Sequence, residues 1–347
     1  VFLKIINWIT LTLFSSHRET AKIVVTRWLV FFVPVISLFV ICASSYLFIY
    51  HHLTDMVLER RQAISRMAAF ALEERFDRMV EVGNSLASSA HFRVLVRDQR
   101  WVEAIQMLSL IPPDYPYIER ILLTNPRGIL MADTPSLPGA AGEDLSSQDW
   151  YTGFSQNRVP YVSNIYQRTA EPRYNVIAVT VPVRETAGAI SGILVLQVRL
   201  DTLYQWSREI RVGPQGFLYF VDPLGNVVGY SGHQPQDKII NFLSSPVVQR
   251  TLEGNENAQF MFGFRDDEKF LAAFASVSRY GWGVIVQESA RSTFKGRNWT
   301  LGILLGIYTL FMTVNIFTAC FIEKVFYILE KHRQQLKAAR AEDISGQ

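Results

Sequence analysis

Trp150 and Tyr151 stand side by side two residues after Gln148; Tyr166, Arg168 and Arg173 follow in a polar stretch, and Gln197 interrupts an apolar run. These residue types do recognition chemistry. Indole and phenol faces cover a ligand, an amide offers both donor and acceptor, and a guanidinium holds a carboxylate through two parallel bonds. The seven are the candidate ligand-binding residues. Nothing comparable points to catalysis, because the chain contains no G-x-S-x-G, H-E-x-x-H or G-x-x-x-x-G-K-[ST] arrangement. His51 and His52 are adjacent, while His91 and His233 lack ligand spacing. Asp133 and Asp144 read as solvated loop carboxylates, so neither a metal site nor a cofactor is expected.

The elements that must position these residues are bounded by two apolar runs. Residues 28–50 and 299–322 carry no charge, and each is longer than the roughly 20 residues that a helix needs to cross ~30 Å of hydrocarbon. Both are read as membrane spans. Lys4, Arg18, Lys22 and Arg27 precede the first, and Lys324, Lys331, Arg333, Lys337 and Arg340 follow the second; such clusters favour a cytoplasmic side for both termini. Residues 51–298 are then outside. That segment holds 25 Lys and Arg against 26 Asp and Glu, so the excess of positive charge sits at the membrane and does not suggest nucleic acid. Both cysteines, Cys42 and Cys320, fall inside the spans, which leaves the outer segment without a disulfide. Residues 1–14 are apolar but short, and suit a helix lying on the inner surface.

Within the outer segment, residues 53–96 are rich in Glu, Arg, Ala and Met, with Gly83 the one glycine and no proline. Apolar residues recur there every three or four positions, from Val57 through Ile64, Ala68, Leu72 and Phe76 to Val80. This predicts an amphipathic stalk helix. After the breaker at 111–116 the pattern changes, and IERILLTNPRGILMA (118–132) finds a counterpart in QGFLYFVDPLGNVVG (215–229). Each is an apolar run, Asn or Asp with Pro-x-Gly, and a second apolar run, the chemistry of a tight hairpin. Strand pairs follow in both copies, at 174–184 with 192–200 and at 269–278 with 282–289, and 200–209 predicts a helix between the copies. The fold class expected is α+β: a long N-terminal stalk helix, two PAS-like antiparallel-sheet subdomains and two flanking transmembrane helices. The divisions read as 1–27 cytoplasmic, 28–50 first span, 51–100 stalk, 101–205 and 206–298 the two sheet subdomains, 299–322 second span and 323–347 a cytoplasmic helix.

In its order of elements the outer segment resembles the double Cache module, a tandem PAS-like sensor held between two spans in bacterial receptors. The resemblance covers residues ~51–298 and rests on the stalk, the Pro-x-Gly hairpins, Trp150-Tyr151, Ser163 to Tyr166, Pro182-Val183 and Gly192 to Leu200. It implies that the membrane-distal copy holds a ligand and the proximal copy relays the change. Amino-acid-binding members of that family place an Arg two residues before the Trp, and Asp residues in a Tyr-x-Asp and late in the last distal strand. Here Gln148, Arg168 and Gln197 occupy those positions. An ammonium beside an unpaired Arg168 would suffer repulsion, so this pattern disfavours an α-amino acid and favours a carboxylate or a neutral polar metabolite.

Ile322, Val325, Leu329, His332, Leu336 and Ala339 continue past the second span at coiled-coil spacing, which predicts a homodimer; a lone amphipathic helix on the inner leaflet is the alternative. The chain is expected to be the sensor part of a longer receptor in the bacterial inner membrane, with a kinase, cyclase or chemotaxis output. The rival function is a regulatory membrane protein whose outer domain docks a protein.

Overall fold

The computed structural model describes residues 18–345 apart from 110, 112–114, 170, 214–215, 231–237 and 263–268. The surface helix expected over residues 1–14 lies outside them. Contacts divide the chain into one unit of residues 1–55 with 294–347 and another of Met56–Thr293. The first helix, α1 (Arg18–Ser88), contributes to both.

In the first unit, the beginning of α1 meets the last helix, α8 (Lys295–Ser345). Both are long and apolar enough to cross a membrane, with mean hydropathies of 2.3 and 1.9 and none of either apolar stretch buried. The Tyr308 hydroxyl donates to Ser45 Oγ at 2.7 Å. At one end of this pair, Arg297 stacks on Phe294 and Tyr50 and donates to Thr54.

In the second unit, α1 is followed by α2 (Ala90–Arg97) and α3 (Trp101–Met107), then by two six-stranded antiparallel sheets. The first sheet contains β1 (Ile118–Thr124), β2 (Leu130–Thr134), β3 (Tyr161–Val162), β4 (Tyr166–Gln167), β5 (Asn175–Arg184) and β6 (Ile190–Arg199). Its order is β2-β1-β6-β5-β3, with β4 also on β5. Helix α4 (Asp149–Asn157) lies between β2 and β3. Helix α5 (Leu200–Glu209) leads to the second sheet. That sheet contains β7 (Gly216–Val221), β8 (Asn226–Val228), β9 (Ile240–Asn241), β10 (Asn257–Phe262), β11 (Lys269–Val277) and β12 (Trp282–Ser289), with α6 (Pro246–Leu252) after β9. Its order is β10-β11-β12-β7-β8-β9. The short α7 (Ala290–Thr293) joins β12 to α8.

The matched hairpins have one local cause. Asn125 Oδ1 accepts the N–H groups of Arg127 and Ile129, and Asp222 Oδ1 accepts those of Leu224 and Asn226. Gly128 and Gly225 close the two turns at φ +85° and +84°, a conformation open to glycine at no steric cost.

Strand alternation then sorts the side chains. Ile177, Val179, Val181 and Val183 of β5 join Leu194, Leu196 and Val198 of β6 in one large core with Leu72, Phe76 and Met79 of α1. Trp282, Val284 and Val286 of β12 belong to the same core. Of the amphipathic stripe predicted for the stalk, Ala68, Leu72, Phe76, Met79 and Val80 are buried in this core, Val57, Ile64 and Ala71 are half-buried, and Met67 is exposed. Gly83 lets α1 lie close against the first sheet, since a Cβ there would stand 3.1 Å from Val181. Ala178, Ile193 and Val195 point the other way, into a smaller cluster with Leu122, Trp150 and Phe154. Strands buried on both faces read as continuous apolar runs, and that is how β5 and β6 appear in the sequence.

Candidate functional site

The small cluster on the outer face of the first sheet borders a narrow cleft that is open to solvent on one side. Strand alternation supplies the floor. Arg120 and Leu122 project from β1, and Gln197, the register partner of Arg120, projects from β6. Tyr166 of β4 forms one wall, and Trp150 and Gln148 at the start of α4 form another. Arg168, Thr169, Glu143 and Leu145 complete the rim from two loops.

Five of the seven sequence candidates therefore meet in one place: Gln148, Trp150, Tyr166, Arg168 and Gln197. Tyr151 does not line the cleft. Its hydroxyl donates to Pro126 O at 3.1 Å and its ring lies 2.9 Å from where a Cβ of Gly128 would stand, so it braces α4 against the β1–β2 turn. Arg173 lies outside as well, exposed and paired with Glu171. Its loop turns Arg168 inward. Arg120, Glu143 and Thr169 are additions that the sequence reading omitted. Arg120 had a signal, because it stands two residues before the apolar Leu122 and so shares its strand face, where a charge has to be either solvated or buried and paired.

Both cleft arginines are already neutralised. Arg120 donates its Nε to Asp133 Oδ2 at 3.0 Å and its Nη2 to the same oxygen, with both side chains buried. Asp133 is thus a buried ion-pair partner, and the solvated loop carboxylate expected from sequence is not what forms. Arg168 Nη1 reaches both oxygens of Glu119, its Nε donates to Pro172 O at 2.6 Å, and Tyr174 stacks beneath it. This overturns the electrostatic ground for disfavouring an α-amino acid, which assumed an unpaired Arg168. Counting Arg120 and Arg168 against Asp133, Glu119 and Glu143, the group carries one more negative than positive charge. Among the described residues Glu143 is the carboxylate of this group without an ion-pair partner; its Oε1 accepts the Thr169 hydroxyl at 3.1 Å.

Gln197 supplies the other open acceptor. Its Nε2 donates to the Tyr166 hydroxyl at 3.0 Å, whereas its buried Oε1 has no partner among the described residues. A buried acceptor left unpaired costs on the order of 1–3 kcal/mol, and a ligand donor would recover that cost. Burial pushes the Tyr166 phenol above its ordinary pKa, so it remains a neutral hydroxyl.

The wall is held by the segment 163–166. Ser163 exchanges bonds with the Ala178 backbone. Asn164 donates its N–H and Nδ2 to the two oxygens of Asp149, at 2.8 and 2.9 Å. Tyr161 donates to Asp149 at 3.4 Å, and burial followed by that carboxylate pushes its phenol up to about 12.

Comparison with known proteins decides the family. The Cache domain model matches residues 49–296, well over half of the chain. The chain belongs to the Cache domain family. Among solved structures, this Cache chain is similar to the ligand-binding domain of the amino-acid chemoreceptor PctB of Pseudomonas aeruginosa PAO1 in complex with L-Arg. The TM-score is 0.54 at 14% identity, covering 69% of this chain and 98% of that one. The ligand-binding domain of the chemoreceptor CtaA of Pseudomonas fluorescens, in complex with L-isoleucine, gives 0.55 at 12%, covering 71% and 97%. The extracellular domain of the histidine kinase candidate vpHK1S-Z8 gives 0.52 at 15%, covering 71% and 96%. At these identities the likeness is one of fold. No curated protein matches the sequence. The Cache domain here is α+β, with a long N-terminal helix and two antiparallel sheets, and no catalytic domain is identified in the chain.

Proposed function

We propose that this chain is the sensing part of a two-pass receptor of the bacterial inner membrane, which binds a small molecule in the cleft on the first sheet. Residues 28–50 and 299–322 span the membrane in this reading, both termini are cytoplasmic, and the outer domain works as a homodimer. The change passes through the second sheet and the helix after the second span to a kinase, cyclase or chemotaxis output.

One observation carries the ligand-binding part: a cleft with neutralised arginines presents two open acceptors, Gln197 Oε1 and Glu143. Acceptors at a site of net negative charge suit a ligand that donates hydrogen bonds through a cationic nitrogen. Amines meet that requirement, and amino acids meet it through their ammonium group. The amino acids named with PctB and CtaA agree with such a site, although fold likeness alone does not transfer them. A simple carboxylate would have to displace Glu119 or Asp133, so the anion favoured by sequence gives way.

The test is thermal stability of the full chain in lipid nanodiscs against amines, amino acids, dicarboxylates and sugars. Stabilisation by nitrogenous cations that is lost in Gln197→Ala supports the reading. A flat response to every class would favour a domain that docks a protein. A cysteine placed at the exposed Ser155 should react with an impermeant reagent from outside the inner membrane.

A further inference from the structure

The two matched turns differ in one respect. Asn125 and Asp222 use Oδ1 identically, to accept two turn N–H groups, so the turn itself is served by an amide. Asp222 nevertheless places a carboxylate where none of its residue is exposed. Burying an ionised group is costly unless its bonds are made. The surplus oxygen explains it: Oδ2 accepts the Ile165 N–H at 2.8 Å, from the other sheet's connection, and Asn226 Nδ2 at 2.9 Å. An Asn could present only one oxygen there.

Ile165 stands between two residues of the ligand cleft's frame. Asn164 is fixed by Asp149, the neighbour of Gln148 and Trp150, and Tyr166 is the cleft wall bonded to Gln197. On the other side, Asp222 follows β7, which lies in register with β12 from Val221 opposite Gly283 to Gly216 opposite Glu288. At that far end Glu288, nearly fully buried, pairs with Arg61 of α1, whose Nη1 also donates to Val212 O. Strand β12 then leads through α7 into α8.

We propose that Asp222 is the coupling residue between the two sheets, carrying movement of the cleft wall at Tyr166 through the Ile165 N–H into the β7–β12 ladder. This rests on the cleft being the ligand site, and it adds which bond reports occupancy. Coupling of this kind is reciprocal, so Asp222 also biases the shape of the cleft.

The test needs no ligand. Hydrogen exchange of the full chain in nanodiscs is compared for the wild type, Gln197→Ala, Asp222→Asn and the double variant. Asp222→Asn should fold, because Asn125 serves the same turn. The expected result is that Gln197→Ala changes exchange in residues 216–221 and 282–289 by about fivefold or more in the wild type, and not in the Asp222→Asn background. Equal changes in both backgrounds, or none in either, would overturn the proposal. A merely structural Asp222 would loosen the second sheet without altering its response to Gln197. A flat ligand screen with an intact exchange result would remove the ligand reading and leave the coupling standing.

Discussion

Both carboxylate oxygens of Glu119 lie within hydrogen-bond reach of Arg168 Nη1, at 2.8 and 2.6 Å. That pair sets the charge that the cleft offers. In Glu119→Gln the guanidinium loses its counter-ion while remaining nearly fully buried. Binding of a dicarboxylate such as succinate should then gain about tenfold, and that of a cationic ligand should fall by a similar factor, each tenfold being about 1.4 kcal/mol. Calorimetry on the wild type and Glu119→Gln measures this, with Arg173→Ala as the neutral control. Unchanged selectivity would show that Arg168 does not face the ligand.

Asp133 is buried more deeply than Glu119, its partner Arg120 is as buried as Arg168, and Asp133 also accepts the Leu137 N–H at 3.0 Å. Removing one partner leaves a buried charge without compensation, so Asp133→Leu alone or Arg120→Met alone should cost about 3–5 kcal/mol. The double change Arg120→Met with Asp133→Leu removes both desolvated charges and should cost much less than the sum of the single changes. Urea unfolding of the four proteins tests this. Additive losses would mean that the pair is not one energetic unit.

These two pairs also mark where sequence reading stops. The hairpins were legible because the turn chemistry of Asn125 and Asp222 is local, and the strands because β5 and β6 are apolar on both faces. The long stalk was legible from its spacing, and Gly83 stood out before Val181 explained it. Arg168 and Arg173, by contrast, share one polar loop and look equivalent. Which of them turns inward is decided by Glu119, 49 residues earlier in the chain. Asp133 read as solvated for the same reason, since its partner Arg120 comes from the neighbouring strand. The inter-sheet bond from Ile165 to Asp222 has no sequence signal, because an Asp in that turn is already accounted for by Oδ1.

Gly153 in α4 lies directly over the Tyr161 ring. A Cβ at that position would stand 2.3 Å from Tyr161 Cζ, closer than any rotamer adjustment of a ring held by Asp149 readily allows. Gly153→Ala should therefore destabilise the domain by about 1–3 kcal/mol through overpacking. Adding Tyr161→Ala should relieve the clash, so that the double variant loses less than the two single effects combined. Thermal unfolding checks the pair, and strict additivity would mean that α4 shifts freely.

Tyr161 also gives the domain a dependence on alkaline pH. Its phenol is raised from 10.0 to about 12, first by burial and then by the Asp149 carboxylate. Between those values the folded protein keeps a proton that the unfolded chain releases. The stability attached to this proton is therefore complete below pH 10 and is lost as pH rises through about 12. Tyr166, Tyr219 and Tyr280 are shifted in the same direction, so the wild type should lose stability steeply there. Tyr161→Phe should remove one group's share of the slope while leaving those of the other raised tyrosines, Tyr117 included. Chemical denaturation between pH 9 and 12 measures the difference, and an unchanged slope would show that the Tyr161 hydroxyl titrates alike in the folded and unfolded states.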